Sequence, residues 1–285
     1  DTNPDAKDNE TVRGDAANVA DLQRYNRLYF DANANGDLTD DKVIDTTAAG
    51  RVYSSSTSKY ANYTFPRVDV TVDVDGTKVD YAFRLSAYSR AYSNYQYASA
   101  SLNAAAYRHG EITIDGKKTS VYLVDFNSNG RFDDESAVDD RVRTSDGTGY
   151  PRQGDMIWVG LDTSKPTYAS PYDASSSDAQ QYVSKLLNVD GKFYDMEISK
   201  AGDKLTLTPS SKPVGYVTNP TKGFRAVVYG DQGMMKISSG NSDRTALPVG
   251  DWRLLSYTID GTAIPKAEES AEEAAEEGPS LLQTL

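Results

Sequence analysis

The sequence predicts a mainly β protein, built of two or three antiparallel sheet or sandwich units with one short internal helix. Apolar and polar residues alternate along several segments, as they do in half-buried strands. Asp-Gly pairs separate some of these segments, at points where two-residue hairpin turns are expected. The chain also has 20 tyrosines against 7 phenylalanines and 2 tryptophans, a composition that suits sheets with one solvated face.

The clearest predicted element is a hairpin over 68–85. Valine alternates with aspartate or threonine over 68–74, Asp75-Gly76 supplies the turn, and apolar residues alternate again over 79–85. A second hairpin is expected over 111–124, with its turn at Asp115-Gly116. Both hairpins place one face of each strand against a core.

Further strands are predicted towards the C-terminus. They cover 156–161, 192–199, 204–208, 224–229, 233–238 and 252–259. The short helix is predicted over 177–187, where Ser177 can cap the first turn and Val183 and Leu187 share a face with Tyr182 and Leu186.

Composition suggests four regions along the 285 residues. They are a flexible arm over 1–21, a β-rich region over 22–212, a small β-sandwich unit over 213–265, and an acidic tail over 266–285. Pro213 and Pro220 mark the start of the third region. The tail carries six acids and no base over 268–277, so we expect it to be dispensable for folding.

The charge balance excludes several classes of partner. A formal net charge of −12 lacks the basic surface that nucleic acid or an anionic membrane requires. No apolar run reaches the ~18 residues of a membrane span, and the absence of cysteine excludes a disulfide framework. Because the chain begins at Asp1 without methionine, we expect that a leader has been removed or left out of the numbering.

Catalytic motifs are scarce. The one histidine, His109, cannot build a zinc hydrolase site by itself, and neither a G-x-S-x-G elbow nor a dinucleotide fingerprint occurs. We therefore expect no enzyme activity. A carboxylate pair for glycoside hydrolysis remains open, because such pairing is spatial.

The most specific motif is a segment that occurs twice, as DANANGDLTDD over 31–41 and DFNSNGRFDDE over 125–135. Both copies have Asp at position 1, Asn at positions 3 and 5, Gly at 6, an apolar residue at 8, Asp at 10 and an acid at 11. Short oxygen-bearing side chains at alternate positions converge on one point, and glycine permits the sharp turn. Because Ca²⁺ takes six to eight oxygen ligands, this spacing predicts two calcium loops between strands.

The candidate ligands lie at equivalent positions of the two copies. Position 7 would act through its main-chain carbonyl, and position 8, Leu38 or Phe132, would be buried. In the first loop the candidates are Asp31, Asn33, Asn35, Asp37, Asp40 and Asp41; in the second they are Asp125, Asn127, Asn129, Arg131, Asp133, Asp134 and Glu135.

The two segments resemble the EF-hand-type calcium loops of dockerins, integrins and thrombospondin repeats. The family pattern ends with Glu or Asp at position 12, whereas this chain has Lys42 and Ser136 there. The resemblance thus implies bound Ca²⁺ in shortened loops and leaves the closing acid open among positions 9 to 11. Since strands rather than helices flank the loops, a calcium sensor is disfavoured.

A second resemblance concerns the C-terminal unit. The segment LPVGDWRL over 247–254 is similar to a corner of transthyretin-like and carboxypeptidase-regulatory-like β-sandwich domains. This resemblance implies a structural or interaction module without its own catalysis.

Taken together, the motifs favour a secreted, bacterial-type calcium protein with a structural, surface or assembly role. We expect it outside the cell, at the cell surface or in the periplasm. Its candidate partners are a second copy, another surface protein or a glycan. The alternative function is a carbohydrate-binding module or glycan-acting enzyme that uses the tyrosines of 86–106, among them Tyr88, Tyr92, Tyr95 and Tyr97. An exposed loop or edge strand is the other interpretation of that segment.

Overall fold

A computed structural model describes residues 11–13, 25–47, 51–54, 58–92, 95–143, 149–164, 178–221, 223–238 and 244–260. All regular structure in this part of the chain is β, which confirms the mainly β fold class with several antiparallel sheets. Among these residues there is no helical segment of the length and apolarity that crossing a membrane requires. The predicted tail lies outside the described residues, and only Thr11–Arg13 of the predicted arm lies within them.

The strands are numbered in chain order. They are β1 (Thr11–Arg13), β2 (Arg27–Leu28), β3 (Ile44–Asp45), β4 (Arg51–Ser54), β5 (Ser58–Thr64), β6 (Val68–Val74), β7 (Thr77–Tyr92), β8 (Gln96–Ala104), β9 (Arg108–Ile114), β10 (Lys117–Val124), β11 (Ala137–Arg143), β12 (Gly149–Arg152), β13 (Met156–Val159), β14 (Gln180–Tyr182), β15 (Leu186–Val189), β16 (Lys192–Ile198), β17 (Leu205–Pro209), β18 (Val214–Thr218), β19 (Phe224–Gly230), β20 (Gly233–Ser238), β21 (Arg244–Pro248) and β22 (Arg253–Ile259).

The largest described sheet has six strands and is organised around the long strand β7. Strand β6 pairs with the first half of β7 and β5 with the second half along one edge, while β8 pairs along the other edge. In the sheet, strand β4 pairs with β5, and β1 pairs with β4 in parallel. The predicted turn at the β6–β7 hairpin is confirmed, because Asp75 (φ 50°) and Gly76 (φ 85°) both adopt the left-handed backbone that this turn needs.

A four-stranded sheet follows, in the order β14, β13, β10, β9. Its β9–β10 hairpin turns at Asp115 and Gly116, as predicted. The remaining described sheets are β2–β3, β11–β12, β15–β16–β17, β18–β21 and β20–β19–β22.

The main core joins the two large sheets to β15 and β16. Alternate residues of β6 and β7, such as Val79 and Phe83, meet Leu123 of β10 and Ile157 of β13. Burial of each such side chain contributes about 1.5–3 kcal/mol to folding. The fully or nearly fully buried apolar residues of this core are Val79, Phe83, Phe132, Ile157, Val183 and Leu187.

The predicted helix over 177–187 is wrong over the described part of that range. Residues 180–182 form β14 and residues 186–189 form β15, while Ser177 lies outside the described residues. Leu187 packs into the main core and Leu186 into a second core with Val228 and Ile237. Two adjacent leucines that face opposite cores require the two-residue period of a strand.

The C-terminal strands match the prediction closely. Strands β19, β20 and β22 form one sheet, and β18 pairs with β21 in a separate two-stranded sheet. At the LPVGDWRL corner, the Trp252 indole N–H donates to the Pro248 carbonyl at 2.7 Å. This hydrogen bond fixes the chain between β21 and β22.

Candidate metal-binding loops

The two repeated segments occupy different environments. The first loop connects β2 to β3, which pair only at Arg27 with Asp45 and Leu28 with Ile44. Its residues from 32 to 40 are all exposed. The second loop follows the buried end of β10 and precedes β11, and its first residue, Asp125, is fully buried.

Each loop begins with an aspartate that holds the turn. Asp31 accepts hydrogen bonds from the amides of Asn35 (3.1 Å) and Gly36 (2.7 Å). The equivalent bonds in the second loop run to Asp125 from the amides of Asn129 (3.2 Å) and Gly130 (2.7 Å). Position 1 therefore binds the amides of positions 5 and 6 in both copies.

The backbone of both loops bends in the same way. Position 4 is left-handed in each copy, at Ala34 (φ 58°) and Ser128 (φ 60°), although neither residue is glycine. Position 6 follows with Gly36 (φ 82°) and Gly130 (φ 87°). This alternation turns the side chains of positions 1, 3 and 5 towards one point.

The asparagines connect the start of each loop to position 10. In the first loop the amide nitrogens of Asn33 and Asn35 donate to one oxygen of Asp40, at 3.1 and 2.9 Å. In the second loop Asn127 donates to Asp134 at 3.2 Å, and Asn129 donates to the same oxygen at 2.5 Å. Asp40 and Asp134 thus close the hydrogen-bond rings of the two loops.

Other candidate residues are engaged elsewhere. Asp37 accepts hydrogen bonds from the amide and hydroxyl of Thr39, at 2.8 and 2.6 Å, which lower its pKa. The Arg131 guanidinium holds both oxygens of Asp133, at 3.0 and 2.9 Å. Glu135 is exposed, and Ser136, at position 12, accepts a hydrogen bond from the Gly154 amide at 3.1 Å.

Position 8 behaves as expected in only one loop. Phe132 is fully buried in the main core, where its ring lies 6.3 Å from that of Tyr81. Leu38 is 48% exposed, so its predicted burial is wrong. The physical reason is position, because the first loop extends from a two-residue ladder and its residues from 32 to 40 are all exposed.

Asp155, directly before β13, is a functional candidate that the sequence reasoning missed. It is fully buried and accepts hydrogen bonds from the amides of Phe126 (3.2 Å) and Asp134 (2.9 Å). Burial, with the nearby carboxylates of Asp125 and Asp134, raises the pKa of Asp155 to about 8. Through its two hydrogen bonds Asp155 links positions 2 and 10 of the second loop. No local spacing in the sequence indicates this contact.

Polar contacts also join the second loop to the largest sheet. The Tyr81 hydroxyl donates to Asp125 at 2.7 Å, and the Ala104 amide donates to the Ser128 hydroxyl at 2.9 Å. Arg131 forms an ion pair with Asp75 at 3.3 Å. Burial raises the pKa of Asp125, while the hydrogen bonds to its carboxylate act in the opposite direction. Strands β7, β8 and β10 therefore meet at this loop.

The oxygen-bearing side chains of each ring are of the kind that a hard cation binds, but each ring contains only two acids. Among the described residues no three Asp, Glu, His or Cys side chains lie close enough together to hold a metal ion. Each ring instead combines two carboxylates with two carboxamides, and oxygen donors of this kind fit Ca²⁺.

In the first loop one oxygen of Asp41 is buried without a hydrogen-bond partner, while its other oxygen accepts from the Ala32 amide at 3.2 Å. An unpaired buried carboxylate oxygen fits a cation nearby.

Tyrosines cluster on one face of the largest sheet. The Tyr88 ring lies 6.1 Å from that of Tyr60 and 5.6 Å from that of Tyr97. Tyr92 stacks on Tyr95 at 4.5 Å, and the Arg90 guanidinium lies 4.3 Å from the Tyr92 ring. Residues 96–104 of the segment form the exposed edge strand β8, as one of its two interpretations expected, whereas residues 86–92 belong to β7, which is paired along both edges. The tyrosines of both strands lie on a sheet face.

A cleft of about 640 Å³ lies beside β14, β19 and β20. Lys236 lines it, contacts the side-chain oxygen of Gln180 and lies 5.9 Å from the Tyr182 ring. Burial lowers the pKa of Lys236 to about 8. No sequence motif indicates this cleft, because its residues come from separate strands.

Comparison of the chain with protein-family models, curated proteins and solved structures gives no significant match.

Proposed function

We propose that this chain is a calcium-binding β protein with a structural, surface or assembly role outside the cytoplasm. The observation that carries the proposal is the repeated hydrogen-bond ring, in which Asp at position 1 holds the turn and Asp at position 10 meets the asparagines of positions 3 and 5. The second ring lies where the strands of two sheets meet, so an ion there would stiffen the contact between them.

The ligands of each ion would be the oxygens of the ring residues. In the second loop these are Asp125, Asn127, Asn129 and Asp134, with Asp31, Asn33, Asn35 and Asp40 equivalent in the first. The unpaired oxygen of Asp41 is a further candidate ligand in the first loop. When bound, Ca²⁺ would supply the positive charge that offsets the two carboxylates. The asparagine nitrogens now bonded to Asp134 and Asp40 would give way, and each amide would turn its oxygen inward.

We expect weak binding, with a dissociation constant on the order of 10⁻⁴–10⁻³ M, as in extracellular modules. Neutral amide oxygens at positions 3 and 5 give less Coulomb attraction than carboxylates would. Asp133 adds little, because Arg131 already neutralises it. Mg²⁺ should substitute poorly, since it requires a tight octahedron and loses its waters reluctantly.

Millimolar Ca²⁺ is expected to raise the melting temperature, and chelation to lower it. Binding to the folded state alone stabilises it by RT ln(1 + [L]/Kd), about 1.4 kcal/mol per site at tenfold excess over Kd. Asp134→Asn should remove the calcium-dependent shift of the second loop and Asp40→Asn that of the first. Differential scanning calorimetry with and without calcium measures both.

The matched control for these variants is Asp195→Ala, an exposed carboxylate on β16 outside both loops. It should retain the full calcium-dependent shift. Equal shifts in the parent and in the Asp40→Asn plus Asp134→Asn variant would contradict the proposal.

Carbohydrate binding is the second candidate function, and the tyrosine face of the largest sheet is the observation that favours it. Tyr97 is 47% exposed and Tyr95 53% exposed, so aromatic rings are accessible to a sugar. A glycan array separates the two functions. Binding that is lost in Tyr97→Ala and insensitive to chelation would favour the carbohydrate function over the calcium-dependent structural role.

A further inference from the structure

Strand β8 forms an outer edge of the largest described sheet. Within the described part of the chain it pairs with β7 alone. The register runs without a bulge from Phe83 opposite Ala104 to Ala91 opposite Gln96. An edge of this length presents a row of backbone groups that can pair with another strand.

The hydrogen-bond pattern shows which backbone groups face outward. The Ala105 amide donates to the Ala82 carbonyl of β7 at 2.8 Å, so odd-numbered residues of this strand pair inward. The amides and carbonyls of Ala98, Ala100 and Leu102 therefore point away from β7. The outward amide of Ala104 is satisfied by the Ser128 hydroxyl at 2.9 Å, which ends the free edge at that residue.

The usual devices that protect an edge strand are missing. Charged residues, proline and bulges normally prevent edge-to-edge pairing. Here no charged residue and no proline occurs over 91–107, although a quarter of the whole chain is charged (25%). Eight of the nine residues of β8 are exposed. With respect to the residues that the structure describes, this edge is thus open in both its backbone and its side chains.

We propose that β8 pairs antiparallel with β8 of a second copy of the chain, about a two-fold axis at Ala100. This arrangement places Ala98 opposite Leu102 of the second copy and Ala100 opposite its own equivalent, and all of these residues have outward backbone groups. On the other face Ser99 faces Ser101. No charges are opposed, so two chains of net charge −12 can approach here without close repulsion.

The apolar face of β8 gives a further reason to choose a second copy. Ala98, Ala100 and Leu102 continue the sheet face that carries the buried residues Ala87 and Ala91, but Leu102 is 43% exposed. Pairing two copies sets this small apolar surface against an identical one. The proposal rests on the assembly role proposed above and gives it a surface and a partner.

The test is sedimentation velocity over a concentration series in the presence of a chelator, so that it is independent of calcium binding. The parent should dimerise. Ala100→Arg places two like charges at the axis and should raise the dimer dissociation constant at least about tenfold. Ala100→Pro removes an outward amide only and should have the same effect, because an edge strand tolerates proline there. The control Thr206→Arg adds the same charge to an exposed position of edge strand β17 and should dimerise like the parent.

Hydrogen exchange of the parent provides a readout that needs no variant. The amides of Ala98, Ala100 and Leu102 should become protected as concentration rises. A parent that stays monomeric at about 100 μM, or a dimer that persists in both Ala100→Arg and Ala100→Pro, would overturn the proposal. So would edge amides that remain unprotected in the dimer. A calcium effect on melting without dimerisation would leave the proposed function intact and reject this inference alone.

Discussion

Asp155→Ala is expected to lower the free energy of unfolding by about 3 kcal/mol, measured by urea denaturation with a chelator present. The carboxyl group is the acceptor for the amides of Phe126 and Asp134, at 3.2 and 2.9 Å. Truncation leaves both donors unsatisfied inside the protein. Because these amides belong to positions 2 and 10 of the second loop, the variant should also weaken the calcium-dependent increase in melting temperature.

Two companion variants show whether hydrogen bonding is the cause. Asp155→Asn keeps one acceptor oxygen, so its loss of stability should be intermediate. Asp195→Ala, on an exposed strand position, should change the free energy of unfolding by less than about 0.5 kcal/mol. If Asp155→Ala were as stable as Asp195→Ala, Asp155 would not be the structural link between the loop and β13.

Gly154→Ala should lower the free energy of unfolding by about 2–4 kcal/mol. A Cβ atom at this position would lie 2.2 Å from the Asp134 carbonyl oxygen and 2.6 Å from the Ser136 nitrogen. These are backbone atoms, so no side-chain rotation relieves the overlap. The second loop and the start of β13 would have to separate, which should displace the closing acid of the ring.

The matched control is Gly110→Ala in β9, where no heavy atom lies within 4 Å of the added Cβ. Alanine there should be neutral or stabilising, because glycine within a strand has the higher entropic cost. Both variants are compared by the same urea denaturation. Equal stability of the two would contradict the close packing of Gly154 against the loop.

Local features of the fold were predictable from the sequence. The turns at Asp75-Gly76 and Asp115-Gly116 depend on backbone conformations that these pairs adopt readily, and the alternation beside them fixes the strands. The segment over 178–187 could not be assigned in this way. Its apolar residues fit a helix or a strand, and the choice is made by two cores that Leu186 and Leu187 face from opposite sides.

The candidate site likewise combines local contacts that the sequence predicts with long-range contacts that it does not predict. The bonds from Asp31 and Asp125 to positions 5 and 6 span four or five residues, so the spacing of the motif predicts them. The contacts of the second loop with Tyr81 and Asp155 span 44 and 29 residues and depend on the assembled sheets. Arg131 binds Asp133 and leaves Asp134 to the asparagines, a division that the spacing of three consecutive acids does not indicate.

Isothermal titration calorimetry with Ca²⁺ tests the central proposal most directly. The parent should bind two ions with dissociation constants of about 0.1–1 mM. Asp31→Ala and Asp125→Ala should each bind one ion, and the double variant none, while Asp195→Ala should bind two. Absence of binding by the folded parent at about 10 mM Ca²⁺, or unchanged binding by the folded double variant, would show that the two loops are ordinary turns.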